Sequence, residues 1–184
     1  MKKVILILVA LVAIFAFWGI GSYNNLVNLN EDVNAKWSNI DTMLQRRADL
    51  IPNLVATVKG YAAHEKEILT HISDARAKLA GAQTPADKAS ADAALSSALS
   101  RLLVVVERYP DLKANQNFIA LMDELSGTEN RIAVARRDYN EAAKIYNAKI
   151  HSFPTVILAG IAGFKPKDYF EAKPGTANPP EVKF

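Results

Sequence analysis

The sequence predicts an all-α protein in which an N-terminal transmembrane helix precedes an antiparallel bundle of three or four long helices. Two observations predict this fold class. Seventeen consecutive residues near the N-terminus carry no charge, and apolar side chains recur every seven residues along much of the chain that follows. An apolar run of this length is typical of a membrane span, and the seven-residue repeat is typical of helices packed along one face.

The N-terminal segment predicts a single membrane anchor. We expect residues 1–3 to form a cytoplasmic stub and residues 4–23 to form the transmembrane helix, because about 20 apolar residues cross a hydrocarbon core of about 30 Å. Lys2 and Lys3 precede the run, and Trp18 and Tyr23 lie towards its far end. By the positive-inside rule the N-terminus stays in the cytoplasm and the C-terminal domain is extracytoplasmic.

Two other interpretations of this segment remain open at the level of sequence. A cleaved signal peptide would have an unusually long apolar region, and no small-residue cleavage site follows it. A buried core helix is the other alternative, although a wholly apolar terminal segment with basic flanks is atypical of one. The uncleaved anchor therefore remains the prediction.

Residues 24–153 are predicted to form the exported bundle, beginning with one long helix. Twelve of the fourteen residues at the two repeating positions between Val33 and Leu79 are apolar or aromatic. The first position holds Val33, Ile40, Arg47, Leu54, Tyr61, Ile68 and Ala75, and the second holds Trp37, Leu44, Ile51, Val58, Glu65, Ile72 and Leu79. Pro52 lacks a backbone N–H and is a candidate kink about one turn earlier. Gly81 is a plausible end of this helix.

Two further helices follow. Thr84 suits the N-cap of the next helix and Pro85 suits its first turn. An apolar stripe then runs along that helix: Leu95, Leu99, Leu102, Val106 and Tyr109. In the last helix an apolar residue recurs every seven residues from Phe118 to Phe153. The sequence around Gly127 resembles a capping box, so a break there would make four helices out of three.

Residues 154–184 are predicted to form an apolar segment and a proline-rich tail. The apolar segment, residues 156–164, is too short to cross a bilayer, so it either packs on the base of the bundle or touches lipid. The tail after Lys165 contains four of the eight prolines. We expect it to be extended and partly mobile.

Four charged residues fall at positions where the repeat predicts core: Arg47, Glu65, Glu129 and Arg136. A buried charge needs a partner, so these residues are the candidate polar core or interface. The two on the first helix are eighteen residues apart and the two on the last helix are seven apart. At most one of the pairs Arg47–Glu129 and Glu65–Arg136 can therefore form. Three roles for these four charged residues remain open: they fix the helix register, line a polar site inside the bundle, or face another copy of the protein.

No set of residues in the sequence predicts catalysis, a cofactor or a metal. After the N-terminal run the chain carries 20 positive and 19 negative charges, which does not fit a nucleic-acid partner. Cysteine is absent. His64 and His71 are two helical turns apart, about 10 Å, too far to bind one ion. We therefore expect a protein that is not an enzyme.

The sequence resembles the LemA family of bacterial single-pass membrane proteins. The resemblance is carried by residues 37–65, by residues 109–147, and by the short motifs FP, AGF and DYFE near the C-terminus. It implies one N-terminal transmembrane helix in a bacterial inner membrane, a short cytoplasmic stub and an exported helical bundle, which is periplasmic in a Gram-negative cell, with no established activity or cofactor. The strongest motifs of the family are matched by residues 45–47, 49–54 and 128–131. The resemblance assigns no role to these motifs.

These observations predict a membrane-anchored, non-enzymatic helical scaffold that acts through protein contacts. A first helix of about 55 residues would reach about 80 Å, longer than a neighbour of about 25 residues can cover. Its uncovered apolar surface then needs a partner, which we expect to be another copy of the chain or other envelope proteins. The alternative is an extracytoplasmic sensory or ligand-binding module with a polar site inside the bundle.

Overall fold

The computed structural model describes residues 2–170, and every regular element within that range is helical. The elements are α1 (Lys2–Lys59), α2 (Lys66–Gly81), α3 (Pro85–Val106), α4 (Pro110–Lys113), α5 (Gln116–His151) and α6 (Thr155–Ala162). The predicted all-α class is confirmed. The described residues form two compact units. The first comprises the chain up to Ser38 and Asp138–Asp168, and the second comprises Asn39–Arg137 with Tyr169 and Phe170.

The first unit contains the apolar start of α1. The large apolar side chains from Val4 to Phe17 are all exposed, Phe17 by 78%, and the first fully buried residue along the chain is Leu26. Water-exposed apolar side chains on this scale are unfavourable, so this surface suits lipid. In the described part of the chain α3 is also long and apolar enough to cross a membrane, but 44% of its apolar window is buried, as in the core helix of a bundle.

The first unit also contains the start of the predicted tail. Residues 164–168 are not helical, and side chains of α5 bind their backbone. The hydroxyl of Tyr139 donates to the carbonyl of Asp168 at 2.8 Å, and that of Tyr146 donates to the carbonyl of Lys165 at 3.0 Å. Burial raises the pKa of both tyrosines above the usual value of 10. The predicted tail beyond Phe170 lies outside the described residues.

The second unit shows that the prediction of one helix from Val33 to Leu79 is wrong. The chain leaves the helix after Lys59, turns through residues 60–65 and begins α2 at Lys66. Glycine at position 60 weakens the helix, and the reversed chain packs α2 against α3. The guanidinium Nε of Arg76 on α2 donates to the carbonyl of Ala48 on α1 at 2.9 Å. Because the chain turns at residues 60–65, α2 packs back on the bundle and its apolar residues are buried. In a continuous helix these residues would lie away from the core.

The fourth long helix arises from that turn and not from the predicted break. Helix α5 passes through Gly127 without interruption. The start of α3 is as predicted, because the Thr84 hydroxyl accepts a hydrogen bond from the backbone N–H of Asp87 at 3.1 Å and Pro85 occupies the first turn. Helix α2 ends at Gly81, also as predicted. Pro52 lies inside α1, which continues to Lys59, and the kink remains a prediction.

Candidate functional site

Four charged side chains from three helices meet inside the second unit. Arg47 projects from α1, Asp92 from α3, and Glu129 and Arg136 from α5. One terminal nitrogen of Arg47, Nη1, pairs with both Asp92 Oδ1 and Glu129 Oε2, and Nη2 of Arg136 pairs with Asp92 Oδ2. We call these four residues the charge cluster. Asp92 is its centre, because each of its carboxylate oxygens contacts a different guanidinium.

The charge cluster is neutral as a whole but unevenly buried. Asp92 is completely buried and Arg47 is 4% exposed, whereas the side chains of Arg136 and Glu129 are 27% and 40% exposed. Moving a lone charge out of water costs several kcal/mol. That cost is offset here because two positive and two negative groups lie in contact. Losing one member leaves the others uncompensated.

The charge cluster leaves several polar atoms without hydrogen bonds. Within the described residues, Nε of Arg47 and Nε of Arg136 are buried and donate to no acceptor. The guanidinium carbon of Arg136 lies 4.6 Å from the centroid of the Phe170 ring, at a distance that gives a cation–π attraction. Phe170 is itself buried. The ring therefore covers one side of the charge cluster and limits access of water to Arg136.

The structure brings three of the four predicted polar residues together and separates the fourth. Of the two pairs weighed from the sequence, Arg47–Glu129 forms and Glu65–Arg136 does not. Glu65 does not occupy a core position of a continuous helix, because that helix ends at Lys59. It instead precedes α2 and accepts hydrogen bonds from Nη2 of Arg108 at 3.1 Å and from the hydroxyl of Tyr109 at 2.9 Å. This second arrangement of Glu65, Arg108 and Tyr109 is the Glu65 group.

Asp92 is not among the residues predicted from the sequence, although the sequence contains a signal for it. The residue lies three positions before Leu95 and seven before Leu99, so it extends the apolar stripe of α3 towards its N-terminus. An acid on such a stripe needs a cation from another helix. Extending the stripe by one more turn would have identified the partner that joins Arg47 to Arg136.

The chemistry of the charge cluster is that of mutual neutralisation. Both oxygens of Asp92 are occupied by guanidinium groups, which leaves no free buried base. In residues 2–170, no group of three or more histidine, cysteine or acidic side chains is placed to hold a metal ion. The ion pairs of the charge cluster join α1, α3 and α5 to one another.

The fold and the charge cluster define a membrane-associated, all-helical protein with buried ion pairs between its helices. The profile of the LemA family matches residues 36–184, and the chain belongs to the LemA family. Magnetosome protein MamQ 2 of Paramagnetospirillum magneticum is 37% identical over 183 residues, covering 85% of this chain and 67% of the relative. Protein LemA of Metamycoplasma hominis is 30% identical over 158 residues, covering 84% and 71% respectively. The resemblance inferred from the sequence is thus confirmed.

Proposed function

We propose that the protein is a membrane-anchored, non-enzymatic helical scaffold of the bacterial cell envelope that assembles with copies of itself. Its N-terminus faces the cytoplasm, and its helical bundle lies outside the inner membrane. Two lysines before the apolar start of α1 support this orientation. The resemblance to the LemA family, which implies an N-terminal transmembrane helix and an exported bundle, supports the membrane placement.

The observation that carries the proposal is the internal neutrality of the charge cluster. A site that recognises a charged ligand keeps a charge or a base available, whereas Asp92 is completely buried between two guanidiniums. Buried polar residues in helical bundles often fix register and oligomeric state at some cost in stability. The same role in this chain gives a bundle with one defined surface to present to partners.

Exposed apolar residues supply a surface for self-assembly. Leu103 and Val104 adjoin in the last turn of α3 and are 46% and 73% exposed, and Val134 on α5 is 50% exposed. Single exposed apolar residues are ordinary, but adjoining ones are more typical of contact surfaces. Covering them with a second copy would remove apolar area from water.

Light scattering of the full-length protein in detergent tests self-assembly. We expect a protein mass that is a multiple of the monomer mass at micromolar concentration. Val104→Glu should lower that mass, whereas Ser97→Glu, an exposed polar position on the same helix, should leave it unchanged. A monodisperse wild-type monomer would contradict the self-assembling scaffold.

The alternative function is a ligand-binding module, and the unused buried Nε–H groups of Arg47 and Arg136 favour it. Arg47→Ala separates the two functions. A scaffold loses stability or changes its assembly state, whereas a ligand site loses binding and keeps its fold. Inorganic phosphate serves as an anionic probe, and we expect it to leave the unfolding temperature of the wild type equal to that in phosphate-free buffer of matched ionic strength. A phosphate-specific rise that Arg47→Ala abolishes would support the ligand module instead.

A further inference from the structure

Helix α6 is the most apolar short element of the described chain. No charged residue lies between His151 and Lys165. The helix contains eight residues, Thr155–Ala162, and is therefore about 12 Å long, less than half of a hydrocarbon core. It cannot span a bilayer, so its apolar side chains must be covered by protein or lie at another surface.

Among the described residues, one face of α6 is buried and the other is exposed. Thr155 and Ala159 are four residues apart and are buried, at 4% and 3% exposure. Ile157 and Ile161 have the same spacing and are 55% and 82% exposed, and Phe153, in the turn that precedes the helix, is 83% exposed. Residues four apart lie on one side of a helix. Ile157 and Ile161 therefore form an exposed apolar stripe, which we call the α6 stripe.

The chain after α6 fixes where this helix lies within the first unit. Gly163 adopts a φ of 77°, which only glycine reaches without strain, and it ends the helix. The turn places the ring of Phe164 against that of Tyr23, with the ring centroids 5.8 Å apart. Tyr23 is the last residue of the predicted transmembrane segment. The end of α6 thus lies beside the point at which α1 leaves the membrane.

Hydrogen bonds from α5 hold this arrangement in place. Besides the Tyr146 bond to the carbonyl of Lys165, the side-chain amide of Asn147 binds both backbone groups of Lys167. It donates to the carbonyl and accepts from the N–H, each at 2.8 Å. The ammonium of Lys167 also donates to the side chain of Asn34 on α1, at 3.1 Å. Helix α6 is therefore tied to α1 and α5 and does not hang from the chain.

We propose that the α6 stripe is a second membrane-contact surface. It lies in the interfacial region of the extracytoplasmic leaflet, beside α1. The inference rests on the membrane anchoring of α1 proposed above. Continuity with the lipid-exposed anchor argues for lipid as the occupant, because the contact between Phe164 and Tyr23 brings one end of α6 to the lipid boundary. An uncharged stripe preceded by an exposed phenylalanine, Phe153, suits that boundary. Two attachments at one membrane restrict the orientation of the first unit.

Depth-dependent fluorescence quenching tests the proposal, and the absence of cysteine makes single labelling sites simple to prepare. Full-length Ile161→Cys carries an environment-sensitive fluorophore and is reconstituted into phosphatidylcholine–phosphatidylglycerol vesicles. The control variants are Phe15→Cys in the anchor and Val134→Cys on α5, which replaces another exposed apolar residue. Quenching is measured with a spin label on the lipid chain and with aqueous iodide.

We expect the lipid-borne quencher to act several-fold more strongly at position 161 than at position 134, and iodide to show the reverse order. If position 161 behaves like position 134 while position 15 is quenched by lipid, the α6 proposal is overturned and the anchor stands. If position 15 is not quenched by lipid, the anchor itself fails. Protection of position 161 from both quenchers would mean that protein covers the α6 stripe, which also overturns the proposal.

Discussion

The charge cluster and the Glu65 group start from the same sequence pattern and reach opposite structures. Arg47, Glu129 and Arg136 keep their positions in uninterrupted helices. Asp92 compensates the two arginines, and Glu129 pairs with Arg47. Glu65 occupies an equivalent position in the repeat, but the helix ends before it and its carboxylate lies at a turn. A charge at a core position therefore has two solutions, which are pairing in place or a break in the helix that carries it.

Burial distinguishes the two solutions. In the Glu65 group the Arg108 side chain is 66% exposed, so water screens its attraction to Glu65. In the charge cluster Asp92 and Arg47 are almost fully removed from water, where attraction between charges is stronger and an unpaired charge is costly. An ion pair in the charge cluster should consequently affect the free energy of unfolding more than the ion pair in the Glu65 group.

The largest expected effect comes from removing the centre of the charge cluster. Asp92→Ala should lower the free energy of unfolding by about 3–5 kcal/mol, because it leaves Arg47 buried with only one carboxylate partner. Glu65→Ala should lower it by about 1 kcal/mol, because its ion pair is exposed. Both values come from urea unfolding of the full-length protein in detergent, followed by far-ultraviolet circular dichroism.

Asp74→Ala is the matched control for these two variants. Asp74 is exposed on α2 and forms no ion pair within the described part of the chain, so its removal should change the unfolding free energy very little. Equal losses for Asp92→Ala and Glu65→Ala would contradict the distinction by burial.

A double replacement gives an intermediate effect and sharpens the comparison. Arg47→Met combined with Asp92→Leu removes one charge of each sign and keeps the apolar volume. It should retain at least about 2 kcal/mol of the stability that Asp92→Ala loses, because the two almost fully buried charges are both removed, and Arg136 and Glu129, which lose their partners, are partly exposed to water. If the charge cluster sets helix register, the double variant should nevertheless change the mass measured by light scattering. An unchanged mass together with full stability would show that the charges do not specify assembly.

The sequence predicts the features that depend on local pattern. The all-α class, the start of α3 at Pro85 and the end of α2 at Gly81 each follow from periodicity or from capping residues, and the structure agrees. The break at residues 60–65 could not be derived in this way, since the seven-residue spacing continues through it. The reversal there depends on tertiary contacts between α2 and α1, such as the hydrogen bond from Arg76 to the carbonyl of Ala48, which joins residues 28 apart in the chain.

The candidate site divides in the same way. The pattern identifies Arg47, Glu129 and Arg136 because they interrupt an apolar repeat, and it shows that each needs a partner. It does not show that a third helix supplies Asp92 to both arginines, because the sequence spacing between helices does not fix which faces meet. Glu65 is misplaced for the related reason that its position in the repeat assumes a helix that the structure ends earlier.

The smallest expected effect concerns the Glu65 group at high pH. The hydrogen bond from Tyr109 to Glu65, followed by burial and the nearby negative charge, raises the pKa of Tyr109 above its usual value of 10. Above pH 10 the folded state therefore holds a proton that the unfolded state releases. This contribution to stability is fully present below pH 10 and is lost as the pH rises through the pKa of the folded state. Tyr109→Phe should consequently lose less stability than the wild type on going from neutral to alkaline pH.

Comparing the two proteins in urea at several pH values isolates this effect, because Tyr139 and Tyr146 are common to both. Glu65→Ala should flatten the alkaline loss in the same direction, since it removes the acceptor that holds the proton. The charge cluster offers the contrasting control. Asp92→Ala should be less stable than the wild type at neutral pH, but its unfolding free energy should fall by the same amount on going to alkaline pH. Identical alkaline profiles for Tyr109→Phe and the wild type would show that the Glu65 group contributes no pH dependence to stability. Burial would then be the difference that still distinguishes the Glu65 group from the charge cluster.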